Sequence, residues 1–339
     1  MAIGAFICGC RGLEFTPDEI AFVRESDPWG FILFKRNIDS ADQVRVLTGH
    51  FRKLVGRDDA PVLVDQEGGR VQRLGPPHWR AYPPAARFGA LHAGNEAAGV
   101  EAAQLCAGLI GQDLRRLGMT IDCAPVLDLS LPETHKVISD RAYHADARRV
   151  AALGRAACEG FKAAGIVPVV KHIPGHGRAR ADSHLELPVV EADAETLRRH
   201  DFAPFRALSD MPAAMTAHIV YKAFDPNRLA TLSADIITQV IRKDIGFDGL
   251  LMSDDLSMGA LTGTIRQRAD ALFAAGCDLA LHCNGRLDEM TAVAEAAPEL
   301  AGEAARRAEG ALGAAGEAEE IDAEEAWERL TELLQGQVS

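Results

Sequence analysis

Long hydrophobic runs are missing from this sequence, and so is a basic amino terminus. No apolar stretch approaches the roughly 18 residues that a membrane span needs, and the opening letters MAIGAFICGC carry none of the positive charge of an export signal. Aromatic residues make up only 6% of the chain, with three tryptophans, which argues against a long cleft of stacking rings for a polymer. We therefore expect a cytoplasmic protein with no membrane partner.

Basic residues are too few to balance the acidic ones. Lysine and arginine number 36 against 49 aspartates and glutamates, a net charge of −13, which repels polyanions, so we expect no nucleic-acid partner. Residues 301–339 hold ten of the acidic residues and three arginines, which indicates a solvated helical face. The seven cysteines are an odd number and most lie in apolar runs, which indicates buried free thiols in a reducing compartment.

Internal repeats and flexible linkers are also absent. A dinucleotide-binding glycine fingerprint is missing too, because only Gly9 and Gly12 follow the first predicted strand. Instead, short apolar runs alternate with longer segments of helical period. The eight predicted strands are 5–10, 31–34, 61–64, 121–126, 166–170, 213–217, 250–253 and 278–281. The alternation predicts a single (β/α)8 TIM-type barrel over residues 1–339 rather than an open doubly wound sheet.

Several predicted helices carry recognisable start and stop signals. Ser40 begins a segment that ends at Gly56, and the pairs Asp146 with Gly165 and Ser233 with Gly246 bound two others. The acidic tail, 302–339, has apolar residues at helical spacing from Trp327 onwards. We expect it to be a helical extension packed on the outside of the barrel.

Chemically reactive residues recur at the carboxyl ends of the predicted strands. They are Asp65, Lys171 with His172, His218, Asp254 with Asp255, and His282. Because all eight strands of such a barrel end at one mouth, these side chains are predicted to converge there.

The segment KHIPGHGRARADSHLELP, residues 171–188, is the most unusual. Its proline and glycines predict a shaped loop rather than a helix. One interpretation is a metal site formed by His172, His176 and His184 with Asp182, although the helix that such spacing normally uses is missing. The other pairs Asp182 with His184, because residues two apart in an extended loop point the same way, and a carboxylate there would orient an acid/base histidine.

Two further segments bring carboxylates and arginines to the mouth. In GLLMSDDLSM, residues 249–258, at most one of Asp254 and Asp255 can point inward, because successive strand residues face opposite sides. That carboxylate either caps the next helix or serves as a nucleophile. Asp65 and Arg73 in DQEGGRVQR, and Arg141 in SDRAY, are candidates for holding hydroxyl groups, with surface ion pairs as the alternative.

In this order and spacing, these segments resemble glycoside hydrolase family 3, and within it the single-domain β-N-acetylglucosaminidases that recycle cell-wall muropeptides in bacterial cytoplasm. The resemblance extends from about the second predicted strand to the seventh, and KH-PGHG-DSH is its most specific part. Ile173 stands where the family usually has phenylalanine, which keeps the wall apolar. Multidomain family 3 β-glucosidases share the barrel but lack the histidine loop.

The resemblance implies roles for particular residues. It makes Asp254 the nucleophile, His184 the acid/base and Asp182 its partner. The residues that it implies for holding the N-acetylglucosaminyl unit are Asp65, Arg73, Arg141, Lys171 and His172. It implies no cofactor and no metal.

The implied reaction removes a terminal, non-reducing β-linked N-acetylglucosamine from muropeptides, with retention of configuration through a covalent glycosyl-aspartate. A histidine base repels an anionic acceptor less than a carboxylate does, so phosphorolysis stays an alternative. A metal-dependent amidohydrolase on the same barrel is another, and a non-catalytic sugar-binding barrel would not need Asp254. The expected partner is a small carbohydrate, and we expect a monomer.

Overall fold

Eight parallel strands form a closed barrel in the computed structural model, which describes residues 2–132, 134–179 and 187–335. The strands are β1 Gly4–Cys8, β2 Pro28–Leu33, β3 Val62–Val64, β4 Ile121–Asp122, β5 Val167–Ile173, β6 Ala213–Thr216, β7 Leu250–Asp255 and β8 Leu279–His282. Each pairs with its neighbours in chain order, and β8 closes the ring on β1 with Cys8 opposite His282. The predicted (β/α)8 TIM-type barrel is confirmed.

Helices follow every strand and surround the barrel. In chain order, the helices that follow β1 to β8 are Pro17–Ser26, Ala41–Val55, Ala85–Gly94, Glu96–Arg116, Ala147–Ala163, Ala194–Arg199, Ala203–Ala207, Ile236–Ile245, Ile265–Ala275 and Leu287–Ala296. Short 3₁₀ turns lie at Lys35–Asn37, Ser139–Arg141 and Ala230–Leu232. No helix among the described residues is long and apolar enough to cross a membrane.

The helix boundaries follow from local chemistry. Ser40 accepts a hydrogen bond from the backbone of Gln43, and Gly56 ends that helix with φ of 67°, a left-handed conformation that glycine adopts without strain. Asp146 caps the helix Ala147–Ala163 through the backbone amides of Arg148 and Arg149. The predicted helix 233–246 is capped as expected, because Ser233 accepts a hydrogen bond from the backbone amide of Ile236 over 3.3 Å and Gly246 ends the helix, of which Ile236–Ile245 is wound in the wider π form.

Two strands are longer than the apolar pattern predicts. β5 continues to Ile173 and β7 to Asp255, so Lys171, His172 and Asp254 lie within the ends of strands rather than in the loops that follow. Polar side chains end an apolar run, but backbone pairing continues where these side chains face a polar mouth. Strand geometry therefore holds them more rigidly than a loop would.

The carboxyl-terminal helices Gly302–Gly313 and Ala323–Gln335 pack against different elements, the first against β7 and the second against the helices Glu96–Arg116 and Ala85–Gly94. In the first, Ala308 and Ala311 join the apolar cluster of the barrel interior, at its amino-terminal end. In the second, Trp327 packs edge-on against Tyr82, with ring centroids 5.8 Å apart. The second helix thereby supports the loop that follows β3.

Close packing of two helices predicts opposite outcomes for two helical glycines. A Cβ at Gly160 would lie 2.3 Å from the carbonyl oxygen of Gln104 in the neighbouring helix, so Gly160→Ala should lower the free energy of unfolding by about 1–3 kcal/mol. A Cβ at Gly49 would meet nothing within 4 Å, and Gly49→Ala should raise the free energy of unfolding by about 1 kcal/mol. Urea denaturation measures both, and a gain in stability for Gly160→Ala would contradict this packing.

Candidate active site

A cavity of about 240 Å³ opens at the carboxyl ends of the strands. It is lined by Asp65, Glu67, Arg70, Val71, Arg73, Val137, Ile138, Arg141, Lys171, His172, His176, Met215 and Asp254. Convergence of charged side chains from several strand ends is the usual arrangement of a catalytic site in this fold.

The ammonium group of Lys171 is the centre of the charged network. Its side chain is 2% exposed, and Nζ lies 2.8 Å from Asp65 Oδ1 and 2.7 Å from Glu67 Oε1. Burial alone would favour neutral lysine, but these two carboxylates raise its pKa above the usual range. Lys171 is therefore charged and joins the end of β5 to the loop after β3.

Two arginines complete the network on either side of Lys171. Arg73 donates to Asp65 Oδ2 over 3.0 Å, and Arg141 binds Glu67 through two parallel hydrogen bonds of 2.8 Å. Burial opposes ionisation of Asp65, but Lys171 and Arg73 outweigh it and hold the pKa of Asp65 well below its usual range. The pKa of Glu67 is low because Arg141 and Lys171 outweigh the same burial penalty.

His172 is oriented by a buried carboxylate. Its Nδ1 lies 2.7 Å from Asp128 Oδ2, and the backbone amide of His176 donates to Asp128 Oδ1 over 2.6 Å. Burial opposes ionisation of Asp128, but contact with His172 lowers its pKa. An ionised Asp128 only accepts hydrogen bonds, so Nδ1 of His172 carries the hydrogen of this contact and Nε2 is left for a ligand.

The two adjacent carboxylates of β7 are placed differently. Asp254 lines the cavity, whereas Asp255 accepts hydrogen bonds from the backbone amide and the hydroxyl of Ser257, over 2.9 and 2.6 Å. Burial opposes ionisation of Asp254, but His218, His172 and the backbone amide of Asp255 hold its pKa below the usual range. Asp254 is thus an ionised carboxylate facing the cavity, as a nucleophile requires.

The profile of the Glycosyl hydrolase family 3 N terminal domain matches residues 16–308. The chain belongs to glycoside hydrolase family 3. It is 37% identical over 294 residues to a β-hexosaminidase of Pseudomonas aeruginosa, a match that covers 86% of both chains, and 36% identical to one of Methylobacillus flagellatus, covering 86% of this chain and 84% of the other. The predicted glycoside hydrolase is therefore confirmed.

Solved structures agree with this assignment to family 3. NagZ from Neisseria gonorrhoeae superposes with a TM-score of 0.85 at 30% identity, covering 100% of this chain and 99% of the other. The same protein in complex with N-trifluoroacetyl-D-glucosamine gives 0.86 at 29% identity over equal coverage. A family 3 β-N-acetylglucosaminidase from Paenibacillus gives 0.85 at 31% identity, covering 97% of this chain and 66% of that larger one.

Most of the site residues predicted from sequence meet in this family 3 cavity. Those that line it together are Asp65, Arg73, Arg141, Lys171, His172 and Asp254. The predicted acid/base pair, Asp182 and His184, lies outside the described residues, and so does part of the proposed metal set. Among the described residues, no three histidine, cysteine, aspartate or glutamate side chains are grouped as a metal ion would need.

Sequence reasoning missed two carboxylates on which the family 3 site depends. Glu67 balances Lys171 and Arg141, and Asp128 orients His172. Glu67 could have been found from its position, because it lies two residues after Asp65 and therefore follows the same strand. Asp128 lies two residues beyond the predicted fourth strand, 121–126, so its place at the mouth could have been inferred from chain position alone.

The buried network predicts a pH-dependent effect of removing Lys171. Lys171→Met leaves the carboxylates of Asp65 and Glu67 short of one cation and should lower the free energy of unfolding by about 3–5 kcal/mol at neutral pH. In the native protein their depressed pKa values add stability that is complete above the usual value of 4.5 and is lost as pH falls towards the folded value for Glu67 of about 2. The loss caused by the substitution should therefore shrink in acid.

Urea unfolding at neutral pH and at about pH 3 measures how much stability the substitution removes at each pH. Lys162→Met is the matched control, because Lys162 pairs with Glu159 on the surface over 2.9 Å and its loss should cost less than about 0.5 kcal/mol. Equal losses for the two variants, or a Lys171→Met loss that grows in acid, would contradict the charge assignment.

Proposed function

We propose that this family 3 glycoside hydrolase is a retaining exo-β-N-acetylglucosaminidase. The observation that carries the proposal is the cavity in which the ionised Asp254 faces the network around Lys171. The cavity is polar and small, which suits one terminal sugar rather than a chain of sugars. The names of the relatives and the gonococcal complex with N-trifluoroacetyl-D-glucosamine support N-acetylglucosamine as that sugar.

In the first step, Asp254 attacks the anomeric carbon and a glycosyl-aspartate ester forms. The bond from that carbon to the leaving oxygen breaks as His184, in its protonated form, donates its proton to that oxygen. Asp182 stabilises the imidazolium beforehand. The roles of His184 and Asp182 rest on the family motif DSH, since both lie outside the described residues.

In the second step, water replaces the aspartate. Neutral His184 takes a proton from the water, whose oxygen attacks the anomeric carbon on the face that the aglycone left. The ester bond breaks and Asp254 returns as a carboxylate. Two inversions at one carbon give net retention of configuration.

The remaining polar groups of the cavity hold the sugar. Lys171, Arg73 and Arg141 are charged donors, and Asp65 is an acceptor beside them. Hydrogen bonds to charged groups are stronger than neutral ones, so vicinal hydroxyls are held in a defined orientation. His172 offers its Nε2 to the sugar, because Asp128 occupies the other ring nitrogen.

The proposed substrate is a cell-wall muropeptide that carries terminal β-linked N-acetylglucosamine. We further propose that the enzyme acts in the cytoplasm as a monomer. It would be one catalytic barrel domain, with 302–339 as an acidic helical extension. The net charge of −13 opposes binding to polyanions at long range.

Replacing the nucleophile tests the proposal directly. Wild type should release the aryl group of an aryl β-N-acetylglucosaminide in the presence of a chelator, and Asp254→Asn should lower kcat at least about a thousandfold. Asp244→Asn, which alters a surface contact with Arg198, should leave kcat unchanged. Inactive wild type, or activity that survives in Asp254→Asn, would contradict the proposal, and comparing products with and without phosphate separates hydrolysis from phosphorolysis.

Removing the acid/base partner should affect rate more than binding. Without Asp182 the imidazolium of His184 is less stable, so Asp182→Ala should lower kcat by about 10²-fold or more while KM stays within a few-fold. Steady-state kinetics with the aryl substrate measure both constants. An unchanged kcat with a raised KM would show that Asp182 binds substrate instead.

A further inference from the structure

We propose that His218 is a positioning residue for Asp254, and that the hydroxyl of Thr231 fixes the tautomer in which it acts. Neither residue lines the cavity, and His218 reaches the proposed nucleophile through the backbone of Asp255. The inference rests on the proposed nucleophilic role of Asp254. It concerns how that carboxylate is held rather than which reaction it performs.

His218 lies two residues beyond the end of β6 and is completely buried between two partners. Its Nε2 lies 3.1 Å from the backbone carbonyl oxygen of Asp255, and its Nδ1 lies 2.7 Å from Thr231 Oγ1. Thr231 belongs to the buried 3₁₀ turn Ala230–Leu232, and its hydroxyl is also 2.8 Å from that of Thr216. The imidazole therefore links β6, this turn and the end of β7.

The hydrogen-bond network assigns the protons of this group. A carbonyl oxygen only accepts, so Nε2 of His218 must donate to Asp255. Burial lowers the pKa of His218, which leaves the ring neutral and Nδ1 without a hydrogen. Thr231 must then donate to Nδ1, and Thr216 donates to Thr231, while the carbonyl of Ala217, at 3.1 Å, competes for the Thr231 hydrogen.

The backbone of Asp255 carries this constraint to the reacting carboxylate, because its carbonyl and its amide are joined at the same Cα. Its amide donates to Asp254 Oδ1 over 2.8 Å. The Asp255 side chain is held as well, because the backbone amides of Ser257 and Cys283 donate to Oδ1 over 2.9 and 3.1 Å. With its carbonyl held by His218, this residue is fixed at both its side chain and its backbone. One oxygen of Asp254 is thereby immobilised, and the other is left for attack.

Several titratable groups face Asp254, and each contributes to the pH profile. His172 and Lys171 face it from β5, and His218 from beyond β6. The hydrogen bond from the Asp255 amide favours the ionised carboxylate together with these groups. If the backbone of Asp255 shifted about its Cα, the hydrogen bond from its amide would weaken and the pKa of Asp254 would rise, although Lys171 and His172 stayed in place.

The experiment compares Thr231→Val with the matched control Thr48→Val. Both valines replace a buried threonine hydroxyl, and the Thr48 hydroxyl donates to the carbonyl of Leu117 over 2.9 Å, away from the site. The measured quantities are kcat/KM for an aryl β-N-acetylglucosaminide across pH and the inhibition constant of N-acetylglucosamine. Thr231→Ser retains the hydroxyl and serves as the rescue variant.

Thr231→Val should lower kcat/KM about tenfold, since His218 loses the donor that fixes its tautomer. The acid limb of the kcat/KM profile should move to higher pH, because it reports ionisation of Asp254 in the free enzyme. The inhibition constant should stay within about twofold, because the Lys171 network is intact. Thr231→Ser should restore both rate and profile, and Thr48→Val should match wild type in all three measurements.

A second variant tests whether Thr231 acts through the imidazole. His218→Gln keeps an amide donor near Nε2 but has no tautomer to fix, so adding Thr231→Val to it should change kcat/KM less than about twofold. Additive effects would overturn the inference, as would a Thr231→Val protein indistinguishable from Thr48→Val, or equal changes in kcat/KM and the inhibition constant. An Asp254→Asn protein that remained active would remove the proposed function and this inference together.

Discussion

The buried ammonium of Lys171 is the interaction on which the site depends. It is almost fully removed from water and touches two carboxylates, each of which also binds an arginine. A charge buried in this way is costly unless it is matched, so the loop after β3 must adopt the conformation that brings Asp65 and Glu67 to it. The same requirement fixes Arg73 and Arg141, and this network is the proposed sugar-binding surface.

Much of this could be predicted from sequence, because chain position decides it. Asp65, Lys171 and Asp254 each follow an apolar run, and in a closed parallel barrel every such run ends at the same mouth. Pairings across the chain could not be predicted in the same way. Nothing local links Glu67 to Arg141 or Asp128 to His172, since these contacts depend on how far each loop folds back over the mouth.

The boundaries of the strands show the same division between local and long-range information. Apolar periodicity identified β5 and β7 but ended each too early, because Lys171 and Asp254 interrupt the pattern while the backbone pairing continues. Capping residues located helix ends well, as at Ser40 and Gly56. The contact of Trp327 with Tyr82 could not be read from periodicity, which marks an apolar face without identifying what covers it.

Ala308 and Ala311 join the interior cluster of the barrel at the amino-terminal end, and in the described part of the chain the cavity of the proposed site opens at the other end, where Asp65, Lys171 and Asp254 lie. In the proposed reaction, substrate therefore enters and products leave through the same opening. During the proposed reaction the aglycone must depart before water can enter along the same route, and the freed sugar must leave last. With this geometry, accumulated monosaccharide inhibits the proposed reaction, because it occupies the cavity that the next substrate needs.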